Sequence, residues 1–348
     1  MKIVVLGGGI STERHVSLVS ATSICKALRS LGHKAIFVDM FIGLENYTGS
    51  LEEAFDSADG FCGNVAIEHE APDLNAVINS RKLKSSSRLG ENVLEICQLA
   101  DCVFLGLHGA DGEDGKIQAC LDLLGVPYTG SGPLGSEMAM DKITSKKIME
   151  FAGIPTAPWK EYDLSSCSDD SIIFENPCVV KIVNGGSSIG VYICDNAIQL
   201  KQALAECKKL GNRIIIEKKI EGREFTVPVL DSKALSPIEI IPPESGKFDY
   251  IAKYQSGNEG AREICPADIS EAERALLGNL ALRFHKALGL SVYSRTDFIL
   301  DKEGVAWCLE TNTLPGMTPN SLIPKAARLE GLDYAHLCEK IVFLSLNK

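Results

Sequence analysis

Three residues near the C-terminus carry the clearest chemistry. Asp297 lies in SRTDFIL (294–300), and Glu310 and Asn312 lie in VAWCLETNTLPGMTP (305–319). Both segments read as strands, and period-two alternation sets Glu310 and Asn312 on one face. Two carboxylates and an amide oxygen are hard ligands suited to Mg²⁺, an ion that also takes phosphate oxygens. Arg295 precedes Asp297 by two and shares its face, so it can reach a ligand held at the metal. Charged groups converging on apolar strands are costly unless paired or metal-bound, which weighs against a merely solvated face.

Three other stretches are weaker alone. GGGISTERHVSL (7–18) joins a strand to a helix, where glycines allow close approach and the helix start favours anions. It is not a dinucleotide fingerprint, because Thr12 stands where the third glycine is needed. Glu13 reads either as a fixed carboxylate suited to an ammonium group or as a first-turn acid complementing the helix dipole. VVKIVNGGSSIG (179–190) delivers Lys181 from a strand into a Gly/Ser loop at Gly185–Ser188 that can wrap phosphates, and a hairpin turn is the alternative. In IIIEKKIEGREFTV (214–227), Glu217 reads as a strand-edge carboxylate able to accept from an adenine amine, and Glu224 as one able to bind ribose hydroxyls. Two surface acids are the alternative.

The elements that must position these groups are mostly legible. The chain has 348 residues, enough for two or three domains. KIVVLG (2–7), a helical pattern over 16–31 and KAIFVDM (34–40) give a β-α-β start that implies a parallel sheet. Residues 43–100 are ambiguous, and SRKLKSSSR (80–88) reads as a solvated loop. DCVFLGLHG (101–109) is a buried strand entering a Gly-rich loop, followed by a helix near 115–124. DKITSKKIMEFAGI reads as a helix from 141, ended by Gly153 and Pro155. Strands follow at 177–183, 190–194, 213–218, 223–230 and 237–241, with a helix near 197–210. Residues 243–268 read as a polar loop too long for a connector, the size of a functional lid. A helix at 271–289, strands at 292–300 and 305–310, and further helices complete the chain.

Composition narrows the class. Apolar residues make up 45% and charged residues 23%, as in ordinary globular proteins. The net charge is −11, from 46 acids against 35 bases, which argues against nucleic-acid partners. No run approaches the length that spans a bilayer, and the first residues lack a signal-peptide pattern, so a cytoplasmic protein without membrane partners is expected. None of the twelve cysteines forms a CxxC pair, and most lie in apolar runs, so they read as reduced core thiols.

Taken in order, GGGISTERHVSL, GLHGADGEDG, YTGSGPLGSEMAMDK, VVKIVNGGSSIG, IIIEKKIEGREFTV, KFDYIAKY, SRTDFIL and LETNTLPGMTPNSLIP resemble the D-alanine–D-alanine ligases of the ATP-grasp superfamily. The resemblance covers nearly the whole chain except about 41–100 and parts of 161–176. It implies an α/β (α+β) ATP-grasp fold behind an N-terminal Rossmann-like parallel-sheet domain. The implied domains are 1–132 for substrate, 133–217 and 218–348 for the two ATP-grasp subdomains, with a mobile ω-loop at 243–268.

The resemblance also implies roles. Lys142 and Lys181 would contact ATP phosphates under the loop carrying Ser187 and Ser188. Glu217 would receive the adenine amine with Ile220 near it, and Glu224 the ribose. Asp297, Glu310 and Asn312 would hold two Mg²⁺ ions, for which Mn²⁺ can substitute. Glu13 would pair with the ammonium of the first D-alanine, near His108. Ser321 and the Leu322 backbone would hold the second carboxylate. Lys253 and Tyr254 belong to the ω-loop, where the tyrosine would bond Ser187 and through it Glu13. Arg295 and the Gly316 N–H would stabilise a tetrahedral oxyanion. The implied activity joins two D-alanines through an acylphosphate for peptidoglycan precursors, in a protein expected to be a homodimer.

Departures from the family pattern are Ile251 where many relatives have a glutamate, Asn184 before the glycines, and a longer 41–100 segment. Tyr254 favours D-alanine as second substrate. A related ligase using D-serine or D-lactate and a non-catalytic nucleotide-binding protein on the same fold are the alternatives. A dinucleotide-dependent oxidoreductase ranks below them because the glycine spacing fails.

Overall fold

The structure, a computed structural model, describes residues 1–63, 72–167, 172–186, 189–242 and 261–348. Strands β1 (Lys2–Gly7), β2 (Lys34–Asp39) and β3 (Cys102–Leu105) form a parallel sheet in the order β2-β1-β3. Ile3, Val4, Val5 and Leu6 are all fully buried, which is why this strand reads as an unbroken apolar run. The Arg14–Ser30 helix packs on this sheet through Ile24 and Leu28. The last helix, Tyr334–Leu346, adds Leu337, Cys338 and Ile341 to the same core. The C-terminus is thereby tied to the N-terminal sheet, and the Lys348 ammonium donates to the carbonyls of Tyr128 (3.1 Å) and Gly130 (2.8 Å).

Strands β4 (Trp159–Asp163), β5 (Cys178–Ile182), β6 (Val191–Cys194) and β7 (Arg213–Lys218) form an antiparallel sheet in the order β4-β7-β5-β6. The Ala197–Leu210 helix backs it with Leu200, Ala203, Leu204 and Cys207, and Asn196 caps the helix start. A third sheet comprises β8 (Arg223–Leu230), β9 (Lys233–Ala234), β10 (Ile238–Ile241), β11 (Arg262–Ile264), β12 (Tyr293–Leu300) and β13 (Ala306–Asn312). Its order is β11-β10-β8-β12-β13, with β9 on β8. One face buries Phe225, Phe298 and Cys308 against Leu277 and Phe284 of the Glu271–Ala287 helix. A capping box between Ser270 and Glu273 starts that helix. Met149 of the Lys142–Phe151 helix enters this same core.

The register of β12 and β13 controls which side chains leave that core. Phe298 pairs with Cys308, yet Asp297 pairs with Glu310, so Leu309 is one residue too many for the partner strand. Plain alternation from Cys308 would turn Glu310 and Asn312 toward the helix-covered core. The bulge reverses the parity and puts both on the opposite face with Arg295 and Asp297.

Several sequence expectations change. β4 and the Pro133–Met140 helix were not anticipated: β4 is a mostly exposed edge strand whose WKEYD pattern lacks apolar alternation. Within the expected loop 243–268, β11 pairs with β10, while residues 243–260 lie outside the described residues. In the expected solvated run 80–88, Arg81 is only 2% exposed. Its guanidinium lies over the Phe41 ring at 4.1 Å and donates to the carbonyls of Leu83 (2.9 Å), Ser87 (2.9 Å) and Ser85. It folds the basic run onto the end of β2, and the remaining bases stay outside. The twelve cysteines are all free thiols, and nine are buried. Arg81→Ala leaves these carbonyls without their donor and should cost about 2–4 kcal/mol, seen as a lower urea midpoint.

Candidate active site

The polar face of the third sheet forms the floor of a cleft. Arg295 Nε and Nη2 each lie 3.1 Å from an oxygen of Asp297, a two-point contact along β12. The Thr226 hydroxyl on β8 donates to Asp297 at 2.5 Å, and Asn312 Nδ2 donates to its other oxygen at 3.3 Å. Glu310 faces Asp297 across the strands, with Lys142 Nζ 3.4 Å from its Oε2. Lys142 opens its helix because Asp141 accepts from the Thr144 N–H at 2.8 Å, capping it, and Arg213 holds Asp141 at 3.0 Å. The Lys142 ammonium also donates to the Gly185 carbonyl at 2.6 Å.

Asp297, Glu310 and Asn312 fit a divalent cation by donor chemistry: two carboxylates and an amide on one face, all offering oxygen. The cations Arg295 and Lys142 now balance the two carboxylates. Among the described residues no three of His, Cys, Asp and Glu gather as a metal cluster, so the amide is needed to complete the set.

The N-terminal sheet supplies the opposite wall. Glu13 precedes the Arg14–Ser30 helix and is 8% exposed. Its loop is held from below by Arg14, which pairs with Asp39 at 2.5 Å and donates to the Gly9 carbonyl at 2.7 Å. Gly109, at φ +72°, passes so close that a Cβ there would meet Glu13 Oε2 at 2.9 Å, and one at Gly186 would meet it at 3.1 Å. At Gly109 the positive φ and this contact together call for glycine, while at Gly186 a Cβ would press only on the end of the Glu13 side chain. His108 Nδ1 lies 2.9 Å from the Leu314 carbonyl, which can only accept, so Nδ1 carries the proton. Nε2 then accepts from the Ser20 hydroxyl at 3.0 Å. Burial lowers the pKa of His108, so the neutral ring bridges the first helix and the segment after β13.

Glu113 stands between these walls. Its oxygens accept from the Gly109 N–H (2.8 Å) and the Leu314 N–H (3.2 Å). Burial, then the neighbouring Glu13, push its pKa from 4.5 up to about 8. A fourth cluster lies deeper. Glu217 on β7 is bracketed by Lys146 (2.7 Å) and Lys181 (2.9 Å). Burial opposes charge on Glu217, but the two ammoniums outweigh it and lower its pKa.

Glu13, His108, Glu113, Glu224, Arg295, Asp297, Glu310, Asn312, Gly316 and Leu322 all line one cleft. An adjoining recess adds Lys142, Gly185 and Gly186. Residues 2–131 match the family model for the D-ala D-ala ligase N-terminus, and 147–343 that for the D-ala D-ala ligase C-terminus. The D-alanine–D-alanine ligase of Lacticaseibacillus casei (strain BL23) is 41% identical over 346 residues, covering 98% of this chain and 95% of the relative. The chain belongs to the D-alanine–D-alanine ligase family.

A D-alanine–D-alanine ligase of Pediococcus pentosaceus is also 41% identical, covering 98% of this chain and 97% of its own. The solved ligase from Bacillus anthracis superposes with a TM-score of 0.77 at 30% identity, covering 100% of this chain and 98% of that one. A second structure of that enzyme, complexed with ATP, gives 0.73 at 27% identity with the same coverage. The fold is therefore ATP-grasp behind a parallel-sheet N-terminal part.

Against this family frame, Glu13, His108, Lys142, Glu224, Arg295, Asp297, Glu310, Asn312 and Gly316 meet in the cleft and its recess. Ser321 precedes the Leu322–Leu329 helix, its Oγ 3.0 Å from the Thr318 N–H and 2.8 Å from the Thr318 hydroxyl. Ile220 is half-buried in the β7–β8 connection. Glu217 lies at the end of β7 as expected, but that strand is interior to its sheet and the carboxylate is buried between two lysines. Ser187, Ser188, Ile251, Lys253 and Tyr254 lie outside the described residues. Glu113 and Lys146 join the site with only faint marks in the sequence, an acid between glycines in GADGEDG and a lysine one helical turn beyond Lys142.

Because Glu113 rises from 4.5 to about 8, the folded chain holds a proton that the unfolded chain loses above 4.5. This group's contribution to stability therefore falls as pH rises from 4.5 to about 8 and then levels off. Glu113→Gln has no such proton, so its melting temperature should lack that part of the decline. Parallel slopes in the two proteins would mean that Glu113 is already ionised at the lower pH.

No helix among the described residues is long and apolar enough to cross a membrane.

Proposed function

We infer that the protein joins two D-alanines into D-alanyl-D-alanine at the expense of ATP, forming an acylphosphate on the first D-alanine. The observation that carries this reading is one cleft in which Glu13 and His108 from the N-terminal sheet face Arg295, Asp297, Glu310 and Asn312. Such a site can hold an amino acid by its ammonium while setting its carboxylate toward a floor whose Arg295, and a cation that Asp297, Glu310 and Asn312 would hold, suit phosphate. A wall of one sheet facing the floor of another also suits three lobes divided near 132 and 217.

In this reading the carboxylate of the first D-alanine attacks the γ-phosphate of ATP and ADP leaves. The amine of the second D-alanine then attacks the acyl carbon, loses its proton, and phosphate departs. Both steps gather negative charge on oxygen, so preset cations and N–H donors lower their barriers. Glu13 holds the first ammonium, and the neutral His108 keeps the neighbouring backbone in place without adding charge. Lys142 and Lys181 meet the phosphates beneath the loop carrying Ser187 and Ser188. The Glu217–Ile220 segment receives adenine, and Glu224 receives ribose. Magnesium, held by Asp297, Glu310 and Asn312, supplies neutralisation of the phosphate charge. Arg295 and the Gly316 N–H stabilise the tetrahedral oxyanion. Ser321 and the Leu322 N–H, at a helix start, hold the second carboxylate. Tyr254 and Lys253 would serve to exclude water, which would hydrolyse the acylphosphate. A cytoplasmic homodimer feeding peptidoglycan synthesis accords with this chemistry.

Phosphate release with ATP, Mg²⁺ and D-alanine tests the reading, and no D-alanine-dependent turnover would overturn it. Competition among D-alanine, D-serine and D-lactate, read by product mass, fixes the acceptor, with D-alanyl-D-alanine expected to dominate. Glu310→Gln should lower kcat by at least roughly a hundredfold while the protein remains folded, because charge compensation at a phosphoryl group is a large term. Near-normal turnover in that variant would remove Glu310 from the metal set.

A further inference from the structure

Lys146 has no place in the reaction as described, yet it is one of the most deeply buried charges among the described residues, at 1% exposure. It sits one turn beyond Lys142 on the Lys142–Phe151 helix. Its ammonium lies 2.7 Å from Glu217 Oε1 and donates to Thr156 Oγ1 at 2.6 Å. The Thr156 hydroxyl in turn donates to the Cys308 carbonyl of β13 at 3.1 Å. The other oxygen of Glu217 holds Lys181 at 2.9 Å. Two ammoniums thus share one buried carboxylate.

We propose that Lys146 is a positioning residue that pairs with one oxygen of the Glu217 carboxylate so that Lys181 is held by the other oxygen only and keeps donors for an anionic ligand. A carboxylate has two oxygens and can chelate a single ammonium with both. With Lys146 in place, Oε1 is taken, and Lys181 keeps donors for a ligand. The surroundings agree. Burial disfavours charge on Lys146 and lowers its pKa, with Lys181 adding to the effect. Burial also opposes charge on Lys181, but Glu217, Glu310 and Glu224 outweigh it and raise its pKa, so Lys181 feels the carboxylates of the cleft as well as its clamp. The clamp also joins the helix bearing Lys142 to β7 and β13.

The proposal rests on the ligase reading, and its test is arranged so that the two fail separately. Lys146→Met keeps the stem and removes the charge. Titration calorimetry with ATP should then show about tenfold weaker binding or more, the loss of one charged hydrogen bond, with the D-alanine KM unchanged. The double variant Lys146→Met/Glu217→Gln should recover to within about threefold of Glu217→Gln alone, because no carboxylate remains to draw Lys181 back. Unchanged ATP affinity in Lys146→Met, or penalties that simply add, would overturn the clamp. A readout without nucleotide is the NMR titration of the Lys181 amine. Its midpoint should move up in Lys146→Met, where a neighbouring positive charge is gone, and down in Glu217→Gln. Midpoints that stay put would overturn the clamp whether or not the protein binds ATP. Wild-type turnover with ATP and D-alanine judges the ligase reading alone.

Discussion

One extra residue in β13 decides on which side of the third sheet the charged chemistry sits. Leu309 breaks the pairing between Asp297–Glu310 and Phe298–Cys308 and reverses the facing of everything beyond it. Phe298, Cys308 and Ala306 can therefore fill the core under the Glu271–Ala287 helix while Glu310 and Asn312 join Arg295 and Asp297 outside it. A regular strand with these residues would bury a carboxylate among apolar side chains, at a penalty of several kcal/mol unless a partner came with it. The rest of the site accepts this face as given. Lys142 reaches Glu310, the Leu314 backbone leaves β13 to meet His108 and Glu113, and Gly316 and Ser321 follow on the same segment.

Charge pairing makes the crowding tolerable. Glu13, Glu113, Asp297 and Glu310 share one cleft, and like charges so placed would repel strongly if all ionised in a low dielectric. Asp297 and Glu310 are met by Arg295 and Lys142, while Glu113 gives way by holding its proton up to about pH 8. The net charge of −11 is thus no obstacle to an anionic substrate, because binding depends on local cations such as Arg295 and Lys142, and Asp297, Glu310 and Asn312 would add a metal ion to them. The acidic excess keeps its force only against extended polyanions, which need a basic surface and not a basic recess.

Much of this was legible in the sequence because it rests on local pattern. The parallel start, the β5–β7 and β8 strands, the Ala197–Leu210 and Glu271–Ala287 helices and the Asp297, Glu310 and Asn312 set all follow from periodicity, caps and residue chemistry. What escaped depends on contacts distant in sequence. β4 is an edge strand stabilised by its partner β7 and not by its own composition. Arg81 looks like one base among several until its guanidinium is seen over the Phe41 ring, forty residues away. The bulge at Leu309 has no marker in VAWCLETNT, since either parity of the pleat satisfies the alternation. The enclosure of Glu217 has the same origin. A strand's position within its sheet decides whether a carboxylate is open or enclosed, and sheet order is not written in the strand itself.

The two lysines on the Lys142–Phe151 helix show how such enclosure becomes useful. Spacing by four residues puts Lys142 and Lys146 on one face, but they meet different surroundings. Lys142 reaches Gly185 and Glu310 at the open recess, while Lys146 runs under it to Glu217 and Thr156. Removing an ammonium from water is costly, and it is tolerated here because Glu217 compensates two of them at once. A pair made only of Glu217 and Lys181 would be neutral and self-satisfied. With a second lysine the cluster carries net positive charge and leaves donors unspent, and that surplus is what an anion can use.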